Sequence, residues 1–326
     1  MITARGLART YRSRRGDVLA VRGVDLDVAD REIVGFLGPN GAGKTTTLRM
    51  LTTLLEPTAG EATVAGCDLR TDPVGVRRRI GYVSQSGSTY PEARAGEELV
   101  DHARLYGIRT QEAVRRGREL FERLDLPGLW DRQTKTLSGG QRRRLDIAMG
   151  LINEPVLVFL DEPTTGLDPQ SRANLWQHVR SLRDDRDSTV FLTTHYLDEA
   201  DALCDRILVI DDGRIVAEGT PDELKRGVSG DAVILTVADP AQLPGTVNTV
   251  SGLVGVSDQS EEGGVVRFRV PDGAAVLPAL LRALDAAGVA PTSVEVRRPS
   301  LDDVFLSLTG RSLRDEPADA TVGATP

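Results

Sequence analysis

"GPNGAGKTT", residues 38–46, contains the spacing G-x-x-x-x-G-K-[ST] from Gly38 to Thr45. In a loop of this kind, glycines let successive backbone N–H groups turn toward phosphate oxygens, and the helix that follows adds the positive end of its dipole. Lys44 is then placed to reach the β- and γ-phosphates of a nucleotide, and the hydroxyl of Thr45 can hold Mg²⁺. The alternative is a glycine-rich turn that only resembles a phosphate-binding loop.

The residues on either side of this loop favour phosphate binding. Residues 33–37 form an apolar run that predicts a strand before the loop. After the loop, leucines recur at helical spacing until Pro57 and Gly60 end the pattern. These leucines are Leu48, Leu51, Leu54 and Leu55. Strand, loop and helix in this order are the context that a phosphate-binding loop requires.

Three further apolar stretches predict the sheet to which this unit belongs. They span residues 156–163, 189–195 and 205–213, and their apolar residues do not alternate with polar ones. This pattern suits parallel strands that are covered by helices on both faces, so we predict an α/β core. The segment from about 90 to 150 is helical in pattern and is predicted to be inserted into that core.

The acidic residues that end the first of these stretches, "VLVFLDEP", complete a nucleotide site. A carboxylate at the end of a buried strand is well placed to hold the Mg²⁺ shell, which is the expected role of Asp161. Glu162, the next residue, could polarise an attacking water molecule. The alternative is an ordinary polar strand end, which the phosphate-binding loop upstream disfavours.

A second stretch, "LSGGQRRRLD" at 137–146, also has the form of a phosphate-binding device, because a Gly-Gly turn leads into a basic helix. Its alternative is purely structural. Ser138 and Gln141, three residues apart, form a capping box, and the leucines and other apolar residues that follow make an ordinary core stripe.

Three single residues are weaker candidates. His195 and Gln85 each follow an apolar run, and strand ends in a doubly wound sheet face the ligand crevice. A histidine at a strand end is nevertheless often structural. Tyr11 could stack on a purine, although a lone tyrosine near the start of a chain commonly serves packing.

Composition excludes several other classes of protein. The net charge of −8 over 326 residues argues against a general nucleic-acid binder, because phosphate backbones require a basic footprint. Two cysteines far apart suggest neither a disulfide framework nor a metal site, and they fit a reducing compartment. Since no run approaches eighteen apolar residues, we do not expect the chain to span a membrane by itself.

The composition changes near residue 222, and a second domain is predicted over 230–310. Its order reads loosely as β, a less certain α, β, β, α, β, α, so we predict a small α+β domain of ferredoxin-like type. We place the first domain at residues 1–222. The tail at 311–326 is rich in Ala, Asp, Pro and Thr and is predicted to be disordered.

Taken in order, these motifs resemble the nucleotide-binding subunit of ABC transporters, over residues 1 to about 222. The resemblance covers the Walker A loop, the Q-loop glutamine, the LSGGQ signature, Walker B with its glutamate, the D-loop and the switch histidine. The expected ATP-binding residues are Gly38, Pro39, Asn40, Gly41, Ala42, Gly43, Lys44, Thr45 and Thr46, with Tyr11 as the aromatic that stacks on adenine. The other matching positions are Gln85, Ser138, Gly139, Gly140, Gln141, Asp161, Glu162, Asp168 and His195.

The resemblance implies an ATPase that works as a homodimer. Two such domains meet head to tail, so that the signature at Ser138–Gln141 closes over the ATP held by the partner's Walker A loop. It also implies Mg²⁺ held by Thr45, Gln85 and Asp161, and catalysis by Glu162, Gln85 and His195.

The last third of the chain narrows the resemblance. "RRPSLDDVFLSLTG" looks like the end of ATPase subunits of daunorubicin-resistance-type exporters, which pair with a separate membrane permease. This implies two copies of the chain beneath two permease subunits, at the cytoplasmic face of the membrane, powering efflux of a drug-like or lipid-like compound.

Other functions stay open. A DNA-repair or ribosomal ABC ATPase is disfavoured by the single cassette, by the acidic charge and by the short segment of 93 residues between Lys44 and Ser138. A regulatory ATPase that signals through a membrane partner is a further alternative. An importer ATPase is also possible, although the helical pattern at 274–309 argues against the β-barrel domain that many importers carry.

Overall fold

The computed structural model describes residues 1–13, 16–228 and 230–310. The chain divides into two compact units after Pro221, and each unit has its own hydrophobic core. The predicted disordered tail at 311–326 lies outside the described residues.

The first unit is an α/β unit built from two sheets. Its strands are β1 (Ile2–Tyr11), β2 (Val18–Val28), β3 (Ile33–Leu37), β4 (Ala59–Val64), β5 (Cys67–Asp68), β6 (Ile80–Val83), β7 (Leu157–Asp161), β8 (Thr189–Thr194), β9 (Arg206–Asp211) and β10 (Arg214–Gly219). Its helices are α1 (Lys44–Leu51), α2 (Pro73–Arg79), α3 (Ala95–Leu105), α4 (Thr110–Arg123), α5 (Gly139–Leu151), α6 (Pro169–Arg186) and α7 (Leu197–Leu203).

The larger sheet has the strand order β10-β9-β3-β8-β7-β6. Its members are parallel except β10, which runs antiparallel to β9 at one edge. Every residue of β3, β7 and β8 is buried, as expected for parallel strands covered on both faces. Because parallel strands end at the same edge, the loops after β3, β6, β7 and β8 meet there, and they bring the phosphate-binding loop, Gln85, Glu162 and His195 to one edge of the sheet.

The smaller sheet is antiparallel, with the order β2-β1-β4-β5, and shares one core with the larger sheet and α1. Phe191 lies at the centre of this core. Its ring centroid is 5.5 Å from that of Phe36 and 5.7 Å from that of Phe159. These contacts fix the neighbouring strands β3, β7 and β8 side by side.

The prediction that α1 extends through Leu55 is wrong. The helix ends at Leu51, and Thr53 adopts the left-handed conformation with φ 63°. The backbone N–H groups of Leu54 and Leu55 both donate to the carbonyl of Arg49, which closes the turn. Leu54 consequently points to solvent and is 58% exposed.

The helical segment between β6 and β7 is confirmed as an insertion into the sheet. α3 and α4 pack against each other and against α5, whose chain then enters β7. The predicted start of α6 is also confirmed. The Asp168 carboxylate accepts a hydrogen bond from the N–H of Ser171 at 2.9 Å, and Pro169 occupies the first helical position.

The second unit begins with α8 (Pro221–Gly227), whose first residue lies at the division between the units. It continues with β11 (Asp231–Val237), α9 (Leu243–Ser251), β12 (Ser257–Glu262), β13 (Val265–Val270), α10 (Gly273–Ala286), β14 (Pro291–Arg297) and α11 (Leu301–Thr309). The antiparallel sheet has the order β12-β13-β11-β14. From β11 to β14 the elements follow the predicted β-α-β-β-α-β order of ferredoxin-like domains. Over the described ranges of both units, no helix is long and apolar enough to cross a bilayer.

Candidate functional site

The loop between β3 and α1 requires glycine at two positions. A Cβ atom on Gly38 would lie 2.2 Å from the carbonyl oxygen of Ile210, which is far inside van der Waals contact. Gly43 has φ 104°, and a Cβ there would lie 2.7 Å from the carbonyl oxygen of Ala20. Both glycines therefore let the loop lie against neighbouring backbone, and Gly43 also adopts a conformation that other residues rarely adopt.

Lys44, the first residue of α1, reaches back over this loop. Only 5% of the residue is exposed. Its Nζ donates to the carbonyl oxygens of Gly38 at 2.7 Å and Pro39 at 3.0 Å, and lies 3.6 Å from Oε1 of Glu162. The ammonium group thus lies between the loop and the end of β7.

Asp161, the last residue of β7, is held by two hydroxyl groups. Its Oδ1 accepts hydrogen bonds from Thr193 Oγ1 at 2.7 Å and from Thr45 Oγ1 at 3.2 Å. Thr193 also accepts from the backbone N–H of Glu162 at 3.0 Å. A carboxylate and a hydroxyl beside one another are the oxygen ligands that Mg²⁺ prefers, so this pair fits the predicted ion.

Glu162 is the centre of the site. Gln85 Nε2 donates to its Oε2 at 2.8 Å, and Thr165 Oγ1 donates to the same oxygen at 3.2 Å. Nδ1 of His195 lies 3.3 Å from Oε1. The backbone of Glu162 has φ 43°, an uncommon conformation for a residue with a side chain.

The charge state of Glu162 follows from these neighbours. Burial acts to raise the pKa of its carboxyl, but the contact with His195 and the positive charge of Lys44 outweigh burial and hold this pKa below its ordinary value. Glu162 is therefore a carboxylate at neutral pH and is able to accept a proton.

A cavity of about 190 Å³ lies beside Lys44 and Glu162. It is lined by seven residues between Pro39 and Thr46, together with Ala20, Gln85 and Glu162. Tyr11, the candidate for stacking on adenine, is not among the lining residues. It ends β1, with the guanidinium carbon of Arg9 5.0 Å from the centre of its ring.

The stretch at 137–146 forms the N-terminal end of α5, and none of its residues lines this cavity. Its capping box is confirmed as local structure. The N–H of Gln141 donates to Ser138 Oγ at 3.2 Å, and the N–H of Ser138 donates to Gln141 Oε1 at 3.0 Å. Gly140 lies close to α6, where a Cβ atom would come within 2.8 Å of Ser171 Oγ.

Three polar residues beside the site were missed by the sequence analysis. Thr193 joins the backbone of Glu162 to the carboxylate of Asp161, as described above. Arg143 and Asp146 are buried on α5. Asp146 could have been found as a polar residue between Leu145 and Ile147, whereas Arg143, between Arg142 and Arg144, carries no such signal.

The chain is similar to known proteins over almost its whole length. A family model described as ABC transporter matches residues 21–165, and one described as ATP-binding protein DrrA1-3-like, C-terminal domain, matches residues 219–309. The daunorubicin resistance ATP-binding protein DrrA3 of Streptomyces coeruleorubidus is 44% identical over 313 residues, which cover 96% of this chain and 97% of that protein.

Two further matches bear on function. The Nod factor export ATP-binding protein I of Cupriavidus metallidurans is 38% identical, over 94% of this chain and 98% of its own length. Among solved structures, a dimeric ATP-binding cassette in a post-hydrolysis state, bound to ADP and Pi, superimposes with a TM-score of 0.63 at 27% identity. That match covers 68% of this chain and 98% of the cassette.

Proposed function

Since this chain belongs to the family of ABC transporter ATP-binding proteins, we propose that its ATPase powers the export of a drug-like or lipid-like compound through a separate membrane permease. The relatives named for daunorubicin resistance and for Nod factor export support export as the direction of transport. The match of the second unit to the DrrA-like C-terminal model supports a drug-type exporter over an importer.

The observation that carries the ATPase site is the convergence on Glu162. Four side chains from separate segments contact or approach one carboxylate: Lys44, Gln85, Thr165 and His195. In the proposed site, the loop N–H groups and Lys44 bind the β- and γ-phosphates of ATP. Tyr11 stays a proposed adenine contact.

Magnesium has a fitting place in this site. Thr45 and Asp161 would hold the ion, with Gln85 as a further oxygen ligand, because all three supply hard oxygen donors. When bound, Mg²⁺ supplies positive charge that offsets the charge of the phosphates.

Hydrolysis needs an oriented water molecule and a proton acceptor. Glu162 is ionised and is fixed by Gln85 and Thr165, so it can accept a proton from the attacking water. His195 lies beside the same carboxylate and would stabilise charge on the transferring phosphoryl group. Gln85, which belongs to the loop after β6, would relay the state of the γ-phosphate to the permease.

The signature at Ser138–Gln141 would serve a second ATP. Ser138, Gly139, Gly140 and the N-terminal end of α5 would hold the γ-phosphate bound by the partner in a homodimer, with Asp168 of the D-loop near the shared interface. Support comes from the separation of this motif from the chain's own cavity and from the dimeric form of the similar cassette.

The test is transport by the assembled complex. The chain would sit on the cytoplasmic face of the membrane, held there by two permease subunits. Co-expressed with the permease and reconstituted in vesicles, it should move daunorubicin only when ATP is supplied, and the Lys44→Ala chain should not. ATP hydrolysis without movement of daunorubicin or of a lipid-like compound would favour the regulatory alternative.

A further inference from the structure

Two charged residues lie on the buried side of the signature helix α5. Arg143 and Asp146 are one turn apart, and only 7% and 6% of these residues is exposed. Neither belongs to the signature, and neither lines the ATP cavity. Burying charged side chains this deeply is costly unless hydrogen bonds satisfy them, so their partners indicate what they do.

Arg143 donates hydrogen bonds to backbone carbonyl groups next to the catalytic residues. Nε donates to the carbonyl oxygen of Pro163 at 2.8 Å, Nη1 to that of Ser84 at 2.5 Å, and Nη2 to that of Asp161 at 3.0 Å. Asp161 and Pro163 are the residues on either side of the catalytic glutamate. Ser84 is the residue before the Q-loop glutamine, so one guanidinium group fixes both segments.

Asp146 contacts the Q-loop on the other side of Gln85, after the glutamine. Its Oδ1 accepts a hydrogen bond from the backbone N–H of Ser88 at 3.3 Å. A Cβ atom on Gly87 would lie 2.9 Å from Oδ2, so the carboxylate packs directly against the loop. Together with Arg143, it attaches α5 to the Q-loop on both sides of Gln85.

We propose that Arg143 and Asp146 are positioning residues through which the signature helix sets the Gln85–Glu162 hydrogen bond of its own ATP site. The inference rests on the proposed function of Glu162 as proton acceptor. Because the N-terminal end of the same helix would cap the partner's ATP, a shift of α5 at one site displaces catalytic groups at the other.

Arginine is the side chain that this position requires. Its planar guanidinium offers five donors in a fixed fork, which matches three carbonyl oxygens arriving from different directions. A lysine ammonium is a point charge on a flexible stem and does not reproduce that fork. Arg143→Lys should therefore fold with its charge retained but hold the two segments less well.

The first measurement separates binding from turnover. Arg143→Met should lower kcat about 10- to 100-fold, as expected for a small displacement of a catalytic group, while the Kd for ATP changes less than about threefold. Arg143→Lys should show a smaller loss of kcat with the same unchanged Kd. Arg78→Met, at an exposed position on α2, is the matched control and should behave as wild type. If Arg143→Met does not fold, Arg143→Lys decides, and wild-type kcat in either folded variant overturns the inference.

A double-mutant cycle with Glu162→Gln shows whether Arg143 acts through Glu162. In single-turnover hydrolysis, adding Arg143→Met to Glu162→Gln should cost less than about twofold, because residues that act as a unit are not additive. If Glu162→Gln is inactive by itself and the losses from the two substitutions add, this inference is wrong, while the proposed role of Glu162 stands. Wild-type hydrolysis by Glu162→Gln overturns the proposed role of Glu162 and, with it, the role of Arg143.

Discussion

A mixed dimer can test whether each ATP site is shared between two chains, and the structure selects the variants. Lys44→Ala removes the ammonium group from the Walker A loop. Gly139→Asp places a carboxylate at the signature, and a Cβ atom at Gly139 meets nothing within 4 Å. The same change at Gly140 would press on Ser171, at 2.8 Å from its Oγ. An acidic residue in the first turn of α5 also suits the helix dipole, so Gly139→Asp should fold.

The size of the effect follows from the charges. A carboxylate about 4 Å from a phosphate oxygen, in surroundings with an effective dielectric constant of about 20, is repelled by about 4 kcal/mol per unit charge. That corresponds to a loss of about three orders of magnitude in ATP affinity at the affected site. Gly139→Asp should therefore abolish tight ATP binding at the site that its signature contacts, and should leave ATP affinity unchanged at the other site.

The assay is nucleotide occlusion, because one intact site need not support a full catalytic cycle. Each parent homodimer carries two damaged sites and should trap almost no ATP. In the mixed dimer, shared sites place both lesions in one site and leave the other wild type, so about one nucleotide per dimer should be trapped, as two-fold symmetry requires. Sites contained within single chains would both stay damaged. A purified mixed dimer that traps no nucleotide would refute the shared site and leave Ser138 as a helix cap only.

Three further predictions address single features of the first unit. Glu162→Gln should keep ATP binding and lose about 10²- to 10⁴-fold in turnover, because the amide cannot accept a proton; it should also accumulate an ATP-bound dimer on size-exclusion chromatography with MgATP, and wild-type turnover would contradict the assignment. Thr193→Val should lower the free energy of unfolding by about 1.5–3 kcal/mol, since it removes a hydrogen bond to the buried Asp161 carboxylate; denaturant titration measures this, Thr193→Ser is the control that keeps the hydroxyl, and equal stability of the two variants would contradict it. A chain that ends at Pro221 should still bind ATP, because every proposed phosphate-binding residue precedes the division between the units; loss of ATP binding by the folded fragment, measured by calorimetric titration, would show that the boundary is misplaced.

Much of the fold could be predicted because its determinants are local. The buried parallel strands are continuous apolar runs, and the start of α6 is specified by the adjacent residues Asp168 and Pro169. The Walker A loop is likewise specified by consecutive residues whose backbone must turn around phosphate. In each case the sequence interval that carries the signal is the same interval that forms the structure.

The end of α1 shows where such local reasoning fails. The leucine spacing continues to Leu55, yet the left-handed residue Thr53 turns the chain and exposes Leu54. Periodicity reports which residues could share a face and carries no information about a turn that interrupts the helix. The position of Tyr11 relative to the ATP cavity could not be predicted from local sequence either, because it depends on how the two sheets pack.

Arg143 could not be assigned from its own surroundings in the sequence. Its neighbours Arg142 and Arg144 make the segment look like a solvated basic helix, and its hydrogen-bond partners are backbone carbonyls at positions 84, 161 and 163. A carbonyl oxygen is present at every residue, so no side-chain pattern marks which ones an arginine will bind. Only the packing of α5 against the loops after β6 and β7 determines those contacts.

This contact gives a physical reason for two phosphate-binding devices in one chain. If the signature serves the partner's ATP, α5 touches a nucleotide at its N-terminal end and, one turn later, holds the backbone on both sides of Glu162. Any difference in the position of α5 between ATP-bound and released states then changes the geometry of both ATP sites. The contact acts on the groups that carry hydrolysis, so the coupling it supplies is one of turnover, for which the reciprocity of binding free energies is not required. In a homodimer built in this way, closure of the signature over one nucleotide would set the catalytic groups at the other site, so the two sites would not hydrolyse ATP independently.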